Sequence, residues 1–138
     1  MIIDAKDLIV GRIATVAAKK ALLGEKIDIV NCQNAIMTGR KEVLFAHYFR
    51  RRRMGLHTKG PFFDRQPDRF VRRIIRGMLP YKQEKGKEAF KRIMCYNGIP
   101  AAFTGQKMEV IEAAHMKKIP TLHYLTIQEI CRHLGGRQ

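Results

Sequence analysis

Four arginines recur at helical spacing between residues 69 and 76, and they form the clearest chemical pattern in the chain. Arg69, Arg72, Arg73 and Arg76 stand at i, i+3, i+4 and i+7, which places them on one side of a helix. Like charges at these separations cost about 0.2–0.5 kcal/mol per pair. A guanidinium can donate two parallel hydrogen bonds to a phosphate. The pattern therefore predicts an anion-binding face; the alternative is a solvated face whose charges pair with acids from elsewhere in the fold.

A second basic group consists of the consecutive residues Arg50, Arg51, Arg52 and Arg53. Four consecutive side chains cannot share one face of a helix, so they spread around its end and can reach separate phosphates. A nuclear-targeting signal is an alternative interpretation of such a run. That interpretation leaves the arginines of 69–76 unexplained, which favours a phosphate-binding role for both groups.

The segment 54–66 joins the two arginine groups, and its glycines and proline predict a long loop. Loops of this length inside a compact domain are usually either functional or disordered. Aromatic side chains beside cations can stack on unpaired bases. The candidates for stacking are His57, Phe62 and Phe63, and the candidate cations are Lys59 and Arg65. The two phenylalanines could equally fold the loop onto the core, and the sequence leaves both interpretations open.

The charge of the chain is concentrated in its central third. The 138 residues carry a net charge of +15, and residues 40–92 contribute +12 of it, with 17 lysines and arginines against 5 acids. So lopsided a charge indicates a polyanionic partner, either nucleic acid or an anionic membrane. The apolar residues that a membrane would require are needed for the core, and no apolar run is long enough to span a bilayer. The further candidate RNA contacts in this stretch are Arg40, Lys41, Lys82, Lys85 and Lys87.

The first forty residues predict the scaffold that positions these cations. An apolar strand over 1–4, a one-sided helix from Gly11 to Leu22 closed by Gly24, and a β-branched strand over 26–31 follow each other with short links. Strand, helix and strand in this order predict a right-handed parallel crossover and an α/β fold.

The remaining elements are predicted from periodicity and from Gly/Pro punctuation. The pattern indicates helices over 40–53, from Pro67 to about Met78, over 106–115 and over 126–134, the last ended by Gly135-Gly136. A short helix over 89–94 is expected to lead into a strand near 93–96. No repeat or linker interrupts the chain, which predicts one domain.

Three widely spaced cysteines, Cys32, Cys95 and Cys131, form no Cys-x-x-Cys pair. An odd number of separated cysteines indicates buried thiols in a reducing compartment, and hence a cytosolic protein.

A metal-dependent nuclease is the alternative function. Asp4 and Asp28 fall on predicted neighbouring strands, where two carboxylates could hold Mg²⁺. No third acid stands at a comparable position, the histidines lack metal-ligand spacing, and no phosphate-loop motif is present. We therefore expect no enzymatic activity, no metal or cofactor, and no small-molecule substrate.

The nuclease alternative is tested by incubating the purified protein with labelled RNA and Mg²⁺. We expect no cleavage, because two separated carboxylates do not complete a metal site. Cleavage that disappears in the Asp4→Asn variant would establish the enzyme instead.

Several motifs, in order along residues 2–100, resemble one family of ribosomal proteins. They are Ile3-Asp4-Ala5-Lys6 with Val10-Gly11-Arg12-Ile13-Ala14, Val30-Asn31-Cys32 with Thr38-Gly39-Arg40-Lys41, Val71-Arg72-Arg73-Ile74-Ile75-Arg76-Gly77-Met78-Leu79-Pro80, Lys85-Gly86, and Ile93-Met94-Cys95-Tyr96-Asn97-Gly98-Ile99-Pro100. The chain resembles the large-subunit ribosomal protein L13 family, and the short link at Gly24-Glu25 favours its archaeal type.

The resemblance implies a three-layer α/β/α single domain over residues 1–138, built around a short, mainly parallel sheet of about four strands. It also implies a structural protein of the large ribosomal subunit that binds large-subunit rRNA beside neighbouring ribosomal proteins and supports subunit assembly in the cytoplasm. No motif of the family is recognisable in residues 101–138.

Overall fold

The computed structural model describes residues 1–136, so the last two residues of the predicted domain lie outside the described part. In chain order the elements are β1 (Ile2–Asp4), α1 (Val10–Leu22), β2 (Ile27–Val30), β3 (Ile36–Thr38), α2 (Lys41–Arg53), α3 (Pro67–Gly77), α4 (Glu84–Lys91), β4 (Ile93–Cys95), β5 (Tyr124–Thr126) and α5 (Ile127–His133). Short 3-10 turns interrupt the connections, at Cys32–Asn34, Ala101–Phe103, Glu112–Ala114 and Met116–Lys118.

The central sheet is parallel, in the order β1-β2-β4. Ile29 of β2 lies opposite Ile3 on one side and Cys95 on the other. Every residue of β2 is buried, as expected for the middle strand of a parallel sheet. The predicted strand, helix, strand unit and the α/β class with a mainly parallel sheet are confirmed.

Helix α1 supplies much of the core through small side chains. Its buried positions include Ile13, Ala14, Ala17 and Ala21, and small residues let the axes of neighbouring helices approach closely. The helix packs against α3, α4 and the sheet. It ends at Leu22, and Gly24 just beyond it has a φ of +102°, which favours glycine, so the predicted helix end is confirmed.

Helix α3 is fixed to this core by one face. Pro67 occupies the first turn, where its missing N–H is not needed. Phe70, Val71 and Ile75 are buried against α1 and β4. The helix predicted from Pro67 is confirmed, with its end at Gly77.

Two predicted helices differ from the structure. Residues 106–115 are predicted to be helical, but Glu109 instead pairs with Ile3 of β1, and only Glu112–Ala114 forms a 3-10 turn. The amide of Glu109 donates to the carbonyl of Ile2 at 2.8 Å, and the amide of Asp4 donates to the carbonyl of Glu109 at 3.1 Å. The edge of β1 thus overrides a helical pattern. The short helix predicted over 89–94 instead spans Glu84–Lys91 and ends before β4 begins.

The antiparallel pair β3 and β5 was not predicted. Ile36 lies opposite Thr126, and Thr38 lies opposite Tyr124, which ties the first third of the chain to its last part. Thr126 then caps α5: its hydroxyl accepts from the Glu129 amide at 3.3 Å, and the Glu129 carboxylate accepts from the Thr126 amide at 2.8 Å. This capping box confirms the helix predicted from residue 126.

None of the helices in the described part combines the length and the apolar character that crossing a bilayer requires.

The three cysteines are buried and free, as predicted. Burial raises the pKa of the Cys131 thiol to about 12. A hydrogen bond with Cys32, together with burial, raises the pKa of Cys95. Because the thiolate is the reactive form, both shifts lower the reactivity of the native thiols.

Alkylation by iodoacetamide at pH 8 tests this burial. We expect Cys95 and Cys131 of the native protein to react at least about tenfold more slowly than in concentrated urea, since each unit of raised pKa lowers the thiolate fraction about tenfold. Buried Cys32 is expected to react slowly because the reagent cannot reach it. Mass spectrometry of the tryptic peptides measures each rate. Rapid labelling of Cys131 in the native protein would contradict its position on the buried face of α5.

Candidate nucleic-acid interface

Helix α2 presents most of its surface to solvent and has no buried residue. Aromatic contacts on one side hold it to the rest of the molecule. Phe45 stacks on His133 of α5, with ring centroids 4.0 Å apart, and Tyr48 meets Phe70 of α3 edge-on at 5.0 Å. The Tyr48 hydroxyl donates to the sulfur of Met37 at 3.1 Å. Burial raises the pKa of Tyr48, and the opposing effect of the nearby Arg51 charge is smaller. The helix is therefore anchored along one edge.

The predicted run of four arginines forms the last turn of α2. Arg50, Arg51 and Arg53 are exposed, while Arg52 is half-buried. The guanidinium of Arg53 lies 4.6 Å from the centre of the Phe49 ring. The four side chains spread around the helix end as predicted, and cations are favourable at this end because of the helix dipole.

The arginines of α3 lie on the side opposite its buried face, as their spacing predicted. Three of them stack on aromatic rings. The guanidinium carbon of Arg72 is 4.5 Å from the centre of the Phe90 ring, that of Arg73 is 4.7 Å from Phe63, and that of Arg76 is 5.3 Å from Tyr81. Stacking restricts the guanidinium planes before any ligand binds, which reduces the entropy lost on binding.

Few acids oppose this cationic face. Asp64 lies 3.9 Å from Arg69, but both side chains are largely exposed, and such pairs contribute little. Asp68, the other nearby acid, accepts instead from the side chain of Asn97 at 3.5 Å. Within residues 1–136 no other ion pair reaches an arginine of α3, which argues against a face neutralised by distant acids.

The loop of residues 54–66 is folded back on itself. The backbones of Leu56 and Gly60 exchange hydrogen bonds of 3.2 and 2.8 Å, and a side chain at Gly55 would collide with the carbonyl of Gly60. This turn carries the predicted His57 and Lys59, both exposed, at its tip.

The two phenylalanines of the loop have different surroundings. Phe63 packs against Tyr48 at 5.9 Å and Phe70 at 5.7 Å, so it joins the loop to the core. Phe62 is 69% exposed, although its carbonyl accepts from Arg73 Nη1 at 2.9 Å. The arrangement leaves Phe62 as the member of the pair that can stack on a base.

Three adjoining hollows share the Phe62 side chain. One, of about 450 Å³, lies between the end of α2 and the loop. The second, of about 400 Å³, lies between α2 and α3 and includes Arg51, Arg73 and Arg76. The third, of about 500 Å³, lies between α3 and α4. The α2 end, the loop and α3 therefore form one continuous surface.

The other predicted contacts lie outside these hollows. Arg40 and Lys41 mark the start of α2, and Lys59, Lys82, Lys85 and Lys87 are also exposed. Lys87 forms an exposed ion pair with Glu84 at 3.6 Å. The aromatic supports Phe90 and Tyr81 were missed by sequence reasoning, because nothing in their local pattern distinguishes them from core or loop residues.

Asp4 and Asp28 each have a structural partner. The Asp4 carboxylate accepts from the Lys6 amide at 3.0 Å and from the Asn31 side chain at 2.9 Å. Buried Asp28 accepts from the Tyr96 hydroxyl at 3.4 Å. Asp28 lies opposite Ile2, which places the α-carbons of the two acids about 8 Å apart. In the part of the chain that the structure describes, no three metal-binding side chains cluster.

Replacing each phenylalanine separately tests these assignments. We expect Phe63→Ala to lower the free energy of unfolding by about 1–3 kcal/mol, and the exposed Phe62→Ala to change it by less than about 0.5 kcal/mol. Conversely, Phe62→Ala is expected to weaken binding of an unpaired RNA by about 1–3 kcal/mol, through a lost stacking contact. Urea denaturation and fluorescence anisotropy measure the two effects. Equal RNA affinity of Phe62→Ala and the wild type would contradict the stacking role.

Comparison with known proteins agrees with the motifs along the chain. The family model for ribosomal protein L13 matches residues 1–102. A large ribosomal subunit protein uL13 from Methanococcoides burtonii is 41% identical, over 99% of this chain and 98% of its own length. The proteins of the same name from Archaeoglobus fulgidus and Methanococcus maripaludis are 39% and 41% identical, again over 99% of this chain and over 88% and 98% of their own lengths. These alignments include the C-terminal part, in which no motif was recognised. The predicted resemblance and its archaeal type are confirmed: the chain belongs to the ribosomal protein L13 family.

Proposed function

We propose that this chain is a structural protein of the large ribosomal subunit that binds large-subunit rRNA and supports subunit assembly. The observation that carries the proposal is the continuous cationic surface formed by the end of α2, the loop 54–66 and α3, with Asp64 as its one acid in an ion pair within the described residues. The names of the archaeal relatives support the same assignment.

The proposed mechanism is electrostatic and begins with the phosphates. Each arginine that contacts a phosphate releases condensed counterions, so that affinity comes from the entropy of the released ions and falls steeply with salt. Contacts of this kind fix orientation and carry no sequence information. The predicted contacts Arg50–Arg53, Arg69, Arg72, Arg73 and Arg76 supply this term, and the α/β core holds them at fixed positions.

Unpaired bases supply the second part of the mechanism. Phe62 is exposed between arginine-lined hollows, so a base that stacks on its ring would leave its phosphates near guanidinium groups. The exposed ring of His57, on the neighbouring turn, can also stack on an unpaired base. The combination favours a folded RNA with looped or bulged nucleotides over a uniform duplex.

The proposal includes no catalytic step, cofactor or small-molecule substrate. Asp4 and Asp28, the residues of the nuclease alternative, both accept hydrogen bonds within the fold. The chain acts as one domain, and its less charged parts, outside 40–92, offer surfaces for neighbouring ribosomal proteins. The site of action is the ribosome of the cytoplasm.

The salt dependence of binding to an archaeal large-subunit rRNA transcript tests the proposal. If six to ten phosphates are contacted, the affinity is expected to fall by about 10³–10⁵ between about 50 and 200 mM salt. Filter binding over this range measures the slope. Phe62→Ala serves as a matched control, since it should lower affinity without changing the slope, whereas each lost phosphate contact reduces the slope by about one. An affinity that does not change with salt would overturn the proposal.

A further inference from the structure

We propose that the hollow between α3 and α4 is a built phosphate pocket that holds two RNA phosphates brought together at a sharp turn of the backbone. The inference rests on the proposed function and names the feature of the RNA that this surface takes. The hollow has a volume of about 500 Å³ and is lined by the four arginines of α3, with Phe62 and Phe90 as aromatic walls. It is called the arginine hollow below.

The charge balance of the arginine hollow exceeds what one phosphate can neutralise. Four guanidinium groups line it, and Asp64 is the one acid among its lining residues. That carboxylate lies 3.9 Å from Arg69 in an exposed pair, so it offsets about one charge at most. Three positive charges remain in a small concave space. A single phosphodiester carries one negative charge, whereas two adjoining phosphates come closer to the balance.

The shape of the hollow favours the same ligand. A regular duplex presents its phosphates in a row along a convex surface, so a concave site between two helices admits one of them at most. At a backbone turn or bulge, phosphates project together and can enter a hollow. The RNA feature that fits is therefore a turned strand and not a uniform helix.

The arginines are held in place before RNA arrives. Arg72, Arg73 and Arg76 each stack on an aromatic ring, and Arg73 also donates to the Phe62 carbonyl at 2.9 Å. The Nε of Arg72 is buried and has no hydrogen-bond acceptor within residues 1–136. A buried charged donor without an acceptor is unfavourable in the free protein.

The wall formed by Phe62 extends the site to a base. Its ring is 69% exposed at the rim of the arginine hollow. A nucleotide displaced from the helical stack at a turn has an exposed base, which can stack on this ring while the neighbouring phosphates enter the hollow. A base in a continuous duplex is already stacked and gains nothing from Phe62.

Inorganic pyrophosphate is the minimal probe for two adjoining phosphates, with orthophosphate for comparison. We expect the intact protein to bind pyrophosphate at least about tenfold more tightly than orthophosphate, a difference of about 1.4 kcal/mol. Amide chemical shifts in NMR titrations should change around residues 62–76 and 90. Equal affinity for the two ions, or shifts spread over the whole basic surface, would overturn the inference.

Two variants that each lose three positive charges distinguish specific binding in the arginine hollow from general attraction between opposite charges. Arg72→Gln/Arg73→Gln/Arg76→Gln removes three charges from the arginine hollow, and Arg50→Gln/Arg53→Gln/Lys59→Gln removes three exposed charges outside it. The first should lose the preference for pyrophosphate, and the second should keep it within about a factor of two, or about 0.4 kcal/mol. Circular dichroism checks that both variants fold. If the first does not, Arg76→Gln tests the site, because Arg76 is exposed and its loss leaves the core intact. Equal losses in both triple variants would overturn the inference.

A binding experiment with RNA hairpins connects the arginine hollow to the proposed function. A hairpin with a bulge of unpaired nucleotides should bind the wild type at least about tenfold more tightly than a fully paired hairpin of equal length. The α3 variant should lose this preference, while the control variant should bind both hairpins more weakly and keep it. If large-subunit rRNA binds with a steep salt dependence but the bulged hairpin is not preferred, the proposed function stands. The inference that the arginine hollow holds two phosphates at a backbone turn is then overturned.

Discussion

The burial of one face of α3 is the constraint on which the cationic surface depends. Phe70, Val71 and Ile75 pack between α1 and β4 and are at most 2% exposed. A helix turns by about 100° per residue, so a shift of one position would drive a guanidinium into this core. Burying an unpaired charge is far costlier than losing any one of the apolar contacts. The apolar face thus fixes the rotation of the helix, and with it the direction of its arginines.

The parts of the fold that could be predicted from the sequence are those specified by local signals. Helix α1 has a continuous apolar stripe and a terminal glycine, α3 starts with a proline, and α5 begins with a capping box, so each can be recognised from its own residues. Residues 106–115 fail for the opposite reason: their conformation is set by the edge of β1, more than a hundred residues earlier in the chain. The strands β3 and β5 pair with each other from distant parts of the chain, and neither segment shows this pairing in its own residues.

The candidate site divides in the same way. Its charges were predictable, because spacing along one helix determines which arginines share a face. Their aromatic supports were not, since Tyr81 and Phe90 reach α3 through the tight connection between α3 and α4. Gly86 is buried near the start of α4, and a side chain there would collide with the carbonyl of Pro80 in that connection. A glycine in the middle of a helical segment therefore permits the approach that places Phe90 beneath Arg72.

The distribution of charge also bears on stability. The central stretch carries +12 of the net +15, and self-repulsion on this scale opposes the compact state. This repulsion destabilises helix α2 most, because the helix ends in four arginines and has no buried residue. Aromatic contacts with α3, α5 and the loop are what keep it in place. A polyanion that binds the folded surface raises the free energy of unfolding by mass action. The same arginines that weaken the isolated chain would then strengthen its complex, so the stability of the basic surface and its occupancy by RNA are coupled.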